Sequence, residues 1–332
     1  MIPNQWYPIL ESRQLGRNKP LGVTRLGQRL VLWREASGRI ICMPDRCPHR
    51  SAMLSRGKIR DGGIECPYHG LRFNGEGRCT MIPANGCDAP VPNGFDVATA
   101  AVREDHGIIW YWYGARQPAA ELPWLSEIAE LVGNTVSYHW TTPVPQLRVV
   151  ENVFDFHHFN FVHRYSIPGA GPRVDDYTAS QNGDMIEFGG ILRHEKPGPL
   201  KQDAPFKVKF RMPGVCSIKF GGVDIAYAFT PIDEQSSWIW TRYSHDRLPT
   251  YLGGKMLSRL FGVMDYLIFH LQDIHVLRSQ LDPAGDISKF HLYEADRAIG
   301  LFFGMVKRAM LEAEQPQNRG TGEDHMSAAA GR

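Results

Sequence analysis

Two short segments constrain this chain more than anything else in it. Cys47-Pro48-His49-Arg50 is followed, after fifteen intervening residues, by Cys66-Pro67-Tyr68-His69-Gly70. A Cys2His2 zinc site commonly pairs like with like, as C-x2-4-C and H-x3-5-H. Here each thiol travels with an imidazole, which suits two metals of different ligation, one held by two thiolates and the other by two imidazoles. Such a site needs two facing hairpin tips, with Pro48, Pro67 and Gly70 shaping loops whose backbone N–H groups aim at the sulfurs. A zinc ion in the same pocket, or four residues with no common role, are the competing readings.

That ligand set, Cys47, His49, Cys66 and His69, is that of a Rieske-type [2Fe–2S] centre. Exchanging two thiolates for neutral imidazoles makes the cluster easier to reduce, so its potential lies above that of plant-type ferredoxins. It can take electrons from a low-potential donor and pass them on. Cys42, Cys79, Cys87 and Cys216 show no ligand spacing and read as buried small hydrophobes. Six cysteines in 332 residues are too few for a disulfide scaffold.

The N-terminus has neither a basic nor an apolar leader region. The most apolar runs, residues 108–113 and 264–271, fall well short of the roughly 20 residues that span a bilayer. A cytoplasmic location is expected, where thiols are more often metal ligands than disulfide partners. Lys+Arg 37 against Asp+Glu 35 gives a net charge of +2, too balanced for a generic nucleic-acid or membrane-surface binder.

The rest of residues 1–115 reads as short strands. Leu30-Val31-Leu32-Trp33 and Ile40-Ile41-Cys42-Met43 flank Ala36-Ser37-Gly38, a hairpin signal, and the aromatic run 108–113 ends at Gly114. Residues 118–123 offer a linker. From 116 to 312 the types mix. A helical pattern covers 146–162, strand-like runs alternate with Gly-containing turns over 175–245, and helical periodicity returns over 255–280 and 293–311. Residues 313–332 are polar and Gly/Ala/Ser-rich, so a disordered tail is expected. The fold class is α+β: an N-terminal all-β domain, then an antiparallel sheet with helices.

A second constellation lies in Asn152-Val153-Phe154-Asp155-Phe156-His157-His158-Phe159-Asn160-Phe161-Val162-His163. On a helix Asn152, Asp155 and His158 share one face, whereas His163 rotates off it. Both histidines reach one metal only through a π-type turn or a helix end, so an irregularity is expected at 158–163. The flanking Phe residues argue for burial, and buried histidines beside a carboxylate need partners or a metal. Two His and one carboxylate with open positions form the facial triad of non-haem Fe(II) oxygenases. His157 points about 100° away from His158 and is expected in a supporting or surface position.

C-x-H…C-x-x-H followed by N-x-x-D-x-x-H-x4-H resembles the oxygenase (alpha) component of the Rieske non-haem iron oxygenases, closest to the vanillate O-demethylase-like group. The resemblance spans essentially the whole chain. It implies a Rieske domain followed by a helix-grip catalytic domain. It makes His158 and His163 ligands of a mononuclear Fe(II), and it moves Asp155 from ligand to the link between the two centres. By similarity, Asp155 would bond His69 of a neighbouring subunit in a head-to-tail homotrimer; Asn152 matches a position near the iron.

The third iron ligand is then a carboxylate on a late helix, with Asp265, Asp273, Asp282, Asp286 and Asp296 as candidates. The run Gln272-Asp273-Ile274-His275 looks like the family's segment, and Phe269, Val276 and Leu277 share the face of Asp273, so Asp273 is expected and Asp265 is the runner-up. The implied reaction is O2-dependent monooxygenation, as hydroxylation or O- or N-demethylation, with cis-dihydroxylation as the alternative. A Rieske electron-transfer protein and a non-catalytic ligand-binding protein remain as other classes. No flavin or nicotinamide fingerprint can be placed, so an external reductase, with or without a ferredoxin, is expected. Pocket walls are expected from 175–245 and near Leu267. Arg148, Arg164, Lys207, Lys209 and Arg211 are candidates for clamping an anionic substrate, if one exists.

Overall fold

The computed structural model describes residues 1–129, 134–167, 170–196, 198, 203–245, 252–282 and 286–314. The expected tail from 315 onward lies outside these residues. Ten short strands build the N-terminal part. They are β1 (Gln5–Glu11), β2 (Leu21–Arg25), β3 (Gln28–Arg34), β4 (Ile40–Pro44), β5 (Lys58–Arg60), β6 (Gly63–Glu65), β7 (Arg72–Phe73), β8 (Cys79–Met81), β9 (Val102–Asp105) and β10 (Ile108–Tyr113). They form three antiparallel sheets, ordered β1-β10-β9, β2-β3-β4 and β5-β6-β7-β8. The expected hairpin joins β3 to β4, with Gly38 at φ +90° in its turn. The Cys47 loop follows β4, and the Cys66 loop connects β6 to β7.

After a single helical turn, α1 (Ser126–Ala129), the chain builds a seven-stranded antiparallel sheet. Its strands are β11 (Val136–Thr142), β12 (Arg173–Asn182), β13 (Met185–Arg193), β14 (Ala204–Arg211), β15 (Val215–Phe220), β16 (Val223–Pro231) and β17 (Ser237–Ser244), in the order β11-β17-β16-β15-β14-β13-β12. Strand alternation gives this sheet two buried faces. On the back, Trp238, Trp240, Ala226, Ala228 and Val215 pack against Trp6, Trp110 and Trp112 of the N-terminal sheets. The Trp240 indole N–H donates to Glu11 (3.2 Å), and the Leu26 N–H donates to the Pro231 carbonyl (2.7 Å). The front face carries Ile225, Tyr227, Phe229 and Ile239 and turns toward the helices.

Those helices are α2 (Gln146–Phe154), α3 (Phe159–Val162), α4 (Gly254–Ile268), α5 (Ile274–Ser279) and α6 (Arg297–Glu314). Phe154 at the end of α2 is fully buried among Phe188, Phe210 and Phe302, which locks α2 and α6 onto the sheet.

The expected continuous helix over 146–162 does not form. It stops at Phe154, and Asp155 is extended at φ −91°, ψ 94°. Asn152, Asp155 and His158 therefore do not share a helix face. His158 and His163 instead cap the two ends of the single turn α3. The helix end expected near 158–163 thus falls slightly earlier, and the π-type turn sits elsewhere. Residues Phe269–Asp273 form it, between α4 and α5. Eight residues of regular α-helix turn through about 800°, leaving Asp265 and Asp273 about 80° apart. One extra residue absorbed in the π turn brings them to within about 20°, so both carboxylates reach one side. Val276, expected on the Asp273 face, is exposed instead, while Phe269 and Leu277 are buried.

Candidate metal centres

At the first constellation the loops sort the donors by burial. Cys47 and Cys66 are 1% and 3% exposed, whereas His49 and His69 stand at the surface beside Tyr68. The two imidazoles neighbour each other with ring centroids 4.6 Å apart. Burial pushes the Cys47 thiol up to about 11, even though the backbone N–H groups of His49 and Arg50 point at its sulfur, as expected of these loops. A cation must therefore displace a proton to bind there. Gly70 closes the second loop at φ +72°, where an L side chain would be strained.

Among the described residues, the only three Cys, His, Asp or Glu donors found within 4.8 Å of one another lie elsewhere. These four are thus too spread for one tetrahedral zinc, whose ligands at about 2.0–2.3 Å crowd closer than that. Two buried sulfurs and two outer imidazoles fit a two-iron cluster with split ligation. Of the remaining cysteines, Cys42, Cys79 and Cys216 are buried as expected, and Cys87 is exposed, contrary to expectation, on a turn after β8.

The close triad is His158, His163 and Asp273. His158 Nε2 lies 3.1 Å from His163 Nε2 and 3.4 Å from Asp273 Oδ1, and His163 Nε2 lies 3.2 Å from the same oxygen. A facial set at about 2.1 Å from one metal, with right angles between ligands, separates donor atoms by about 3 Å. Helix ends on one side and the π turn on the other therefore converge on a geometry that fits a mononuclear iron. Burial disfavours an ionised Asp273, but hydrogen bonds with both histidines outweigh it and hold the carboxyl below the ordinary range.

Asp265 does not join the triad. The Tyr227 hydroxyl (2.8 Å) and the Tyr243 hydroxyl both donate to its Oδ2, and burial raises its carboxyl above the ordinary range. Asp296 accepts from the Tyr293 N–H instead, and the Asp282 backbone carbonyl accepts from Arg148.

Asp155 sits beside the triad with its side chain 29% exposed. It accepts from the His158 backbone N–H (3.2 Å), and His157 Nδ1 lies 3.0 Å away. Burial works against its ionisation, but the bonds from His157 and His158 win and keep it a carboxylate. His157 is a supporting residue: its other nitrogen meets the Tyr293 hydroxyl. Asn152 donates to Asp273 at 3.3 Å, which places it near the triad as the resemblance implied.

Burial alone would lower the pKa of His158, yet its bonds to Asp155 and Asp273 raise it to about 9. The stabilisation this gives the metal-free protein is complete below about pH 6.5 and is lost as pH rises toward 9. A divalent metal takes the proton's place, so ferrous affinity at this site is expected to rise about tenfold per pH unit between 6.5 and 8.5. Chelator competition at several pH values measures it, and a flat profile contradicts it.

Sequence reasoning missed Gln272. Its side-chain oxygen accepts from His163 Nδ1 at 2.7 Å, leaving Nε2 free for a metal, and its amide donates to Ser166. The only signal was its position beside Asp273. Gln272→Leu is expected to weaken ferrous affinity about 10–100-fold at unchanged fold, because outer partners of metal-bound histidines carry effects of that size. Iron retention on dialysis, with circular dichroism as the fold control, checks it.

The triad opens onto a cavity of about 140 Å³ walled by Phe156, Ile218, Phe220, Phe229, Ile239 and Ile268. The walls come from the expected 175–245 region and from α4, though Leu267 itself is largely exposed. None of the suggested cationic clamps lines it. Arg148 is buried in a pair with Glu151 (2.7 Å), Arg211 pairs with Asp184, and Lys209 with Glu127 and Glu187.

Comparisons with known proteins agree with this anatomy. Residues 5–100 match the Rieske [2Fe-2S] domain, and residues 144–298 match the vanillate O-demethylase oxygenase C-terminal domain. The chain is 36% identical over 280 residues to the 3-chlorobenzoate-3,4-dioxygenase oxygenase subunit of Comamonas testosteroni, covering 80% of this chain and 56% of that one. It is 29% identical over 246 residues to the dicamba O-demethylase oxygenase component of Stenotrophomonas maltophilia, covering 73% and 66%. The crystal structure of dicamba monooxygenase bound to dicamba superposes with a TM-score of 0.76 at 22% identity, covering 95% of this chain and 99% of that one. The chain spans only 29–56% of the length of the first curated relatives it matches.

Both domains are present in this order, the arrangement of the Rieske non-haem iron oxygenases. The chain's C-terminal half is of the vanillate O-demethylase type. No helix among the described residues is long and apolar enough to cross a membrane.

Proposed function

We propose that this chain is the oxygenase component of a multicomponent system that inserts one oxygen atom from O2 into a small aromatic or cyclic substrate, by hydroxylation or by O- or N-demethylation. The observation that carries this is the convergence of His158, His163 and Asp273 beside an apolar cavity, in a chain that also holds the split Cys/His loops. When bound, the [2Fe–2S] group supplies single electrons and the ferrous ion supplies a position for O2. Three protein donors on one side leave the cavity side open to ligands. The phenylalanine and isoleucine walls keep water away from that side and orient a flat substrate. Gln272 and Asn152 hold His163 and Asp273 in place.

Asp155, held ionised by His157 and His158, is the link between centres. In the proposed head-to-tail homotrimer it accepts a hydrogen bond from the surface imidazole of a neighbouring subunit's His69. The proposed division is residues 1–115 for the cluster and 116–312 for the iron and substrate. An external reductase, with or without a ferredoxin, supplies electrons, and a cytoplasmic setting supplies the reducing environment.

The match to a dioxygenase subunit over 80% of this chain favours cis-dihydroxylation as the second reading. Mass spectrometry of a reconstituted reaction distinguishes them. A gain of one oxygen or loss of one CH2 supports the proposal, and a gain of two oxygens and two hydrogens supports the alternative. Appreciable turnover by the purified chain with NADH alone would contradict the need for a reductase.

A further inference from the structure

The cavity beside the triad is apolar almost throughout, and its few polar groups differ in one respect. Asn152, His158, His163 and Asp273 bond one another around the metal position. Asp265 also lines the cavity, on the same side of the α4–α5 helix as Asp273, and belongs to a separate device. Tyr227 and Tyr243, reaching from the front of the sheet, both donate to its Oδ2. Across the sheet, Trp140 pairs with Ile239 and lines the same cavity; it is 9% exposed, and its indole N–H has no partner. Burying such groups without partners is costly. Away from the triad, the cavity thus offers the Asp265 carboxylate and an indole donor without a partner. No Lys or Arg is among its lining residues.

We propose that Asp265 determines substrate class, selecting a single-ring substrate that presents an N–H or O–H donor and rejecting rings that carry a carboxylate or sulfonate. This rests on reading the cavity as the substrate site. The volume, about 140 Å³, is close to that of an apolar void of about 150 Å³ that holds one benzene ring. A phenol, aniline or ring amide donates a hydrogen bond to the Asp265 carboxylate, and an acceptor on the same ring satisfies Trp140. An anionic ring meets a second carboxylate in apolar walls with no cation opposite. A site built to bond a polar group discriminates strongly, because the mismatched ligand leaves buried groups unpaired.

The test is calorimetric titration of the ferrous holoprotein under argon with 4-methoxyaniline, 4-methoxyphenol and 4-methoxybenzoate. The two neutral rings are expected to bind at least about 100-fold more tightly than the benzoate. In Asp265→Asn, with iron content and circular dichroism as controls, the gap is expected to shrink below about tenfold. Tyr227→Phe keeps the carboxylate and must keep the gap. Equal affinities for the three rings in the native protein, nil included, overturn the proposal, as does a gap unchanged in Asp265→Asn. If the rings bind as stated but the reconstituted system forms no oxygenated product, the oxygenase reading fails and the selection by Asp265 stands.

Discussion

Asp273→Ala is expected to hold two irons per chain instead of three, keep the visible spectrum of its cluster, and lose turnover by at least a thousandfold. The reason is local. Asp273 Oδ1 lies within 3.4 Å of both histidine Nε2 atoms, so its removal takes away the anionic ligand and leaves two neutral imidazoles. A metal ion used as a Lewis acid or O2-binding centre contributes several kcal/mol to a transition state, and about 4 kcal/mol is already a thousandfold in rate. Asp265→Asn is the matched control: its carboxylate is held by Tyr227 and Tyr243 rather than by the triad, so it retains three irons. Iron counting by mass spectrometry after chelator treatment decides between them. Loss of iron from Asp265→Asn with retention in Asp273→Ala would reverse the assignment.

Asp155→Asn is expected to separate electron supply from chemistry. All three irons stay, because Asp155 is not among the converging donors, and the cluster is reduced at its normal rate. Product formation falls by at least about a hundredfold, the scale on which a small misplacement of a positioned group is felt. An amide in place of the carboxylate loses the charge that His157 and His158 sustain, and presents an N–H where the proposed contact needs an acceptor. Stopped-flow single turnover reads this directly: cluster reoxidation in the presence of substrate and O2 slows, while external reduction does not. Normal reoxidation would remove Asp155 from the path between centres. Dilution of the proposed trimer to monomer, followed by the same measurement, separates transfer between subunits from transfer within one.

How much of this was legible in the sequence depends on the physics behind each residue. Cys47, His49, Cys66 and His69 stood out because metal ligation ties residue type to short-range spacing, and the fold sets the two sulfurs inside and the two imidazoles side by side at the surface. The strands β3, β4 and β10 followed from β-branched and aromatic runs bounded by turn residues. His158 and His163 were readable as a pair, yet the reason they meet was not. The expected common helix face fails because the chain breaks at Asp155, and the histidines meet as the two ends of a single turn. The π turn at Phe269–Asp273 was equally hidden, since it arises from packing between α4, α5 and the sheet rather than from local propensity.

Cys87 was assigned to the core by residue type alone and sits at the surface. Gln272 and the Asp265–Tyr227–Tyr243 cluster depend on contacts between residues up to 109 positions apart, which no local pattern encodes.

The most direct test of the two-centre arrangement is Mössbauer spectroscopy of iron-57-reconstituted protein, native and Asp273→Ala. The native protein should show three iron environments in equal proportion: two inequivalent ferric sites of an oxidised cluster, one with thiolate and one with imidazole ligands, and one high-spin ferrous site absent from the variant. A pair of equivalent cluster irons, zinc in place of the cluster, or a ferrous site that survives Asp273→Ala would contradict it.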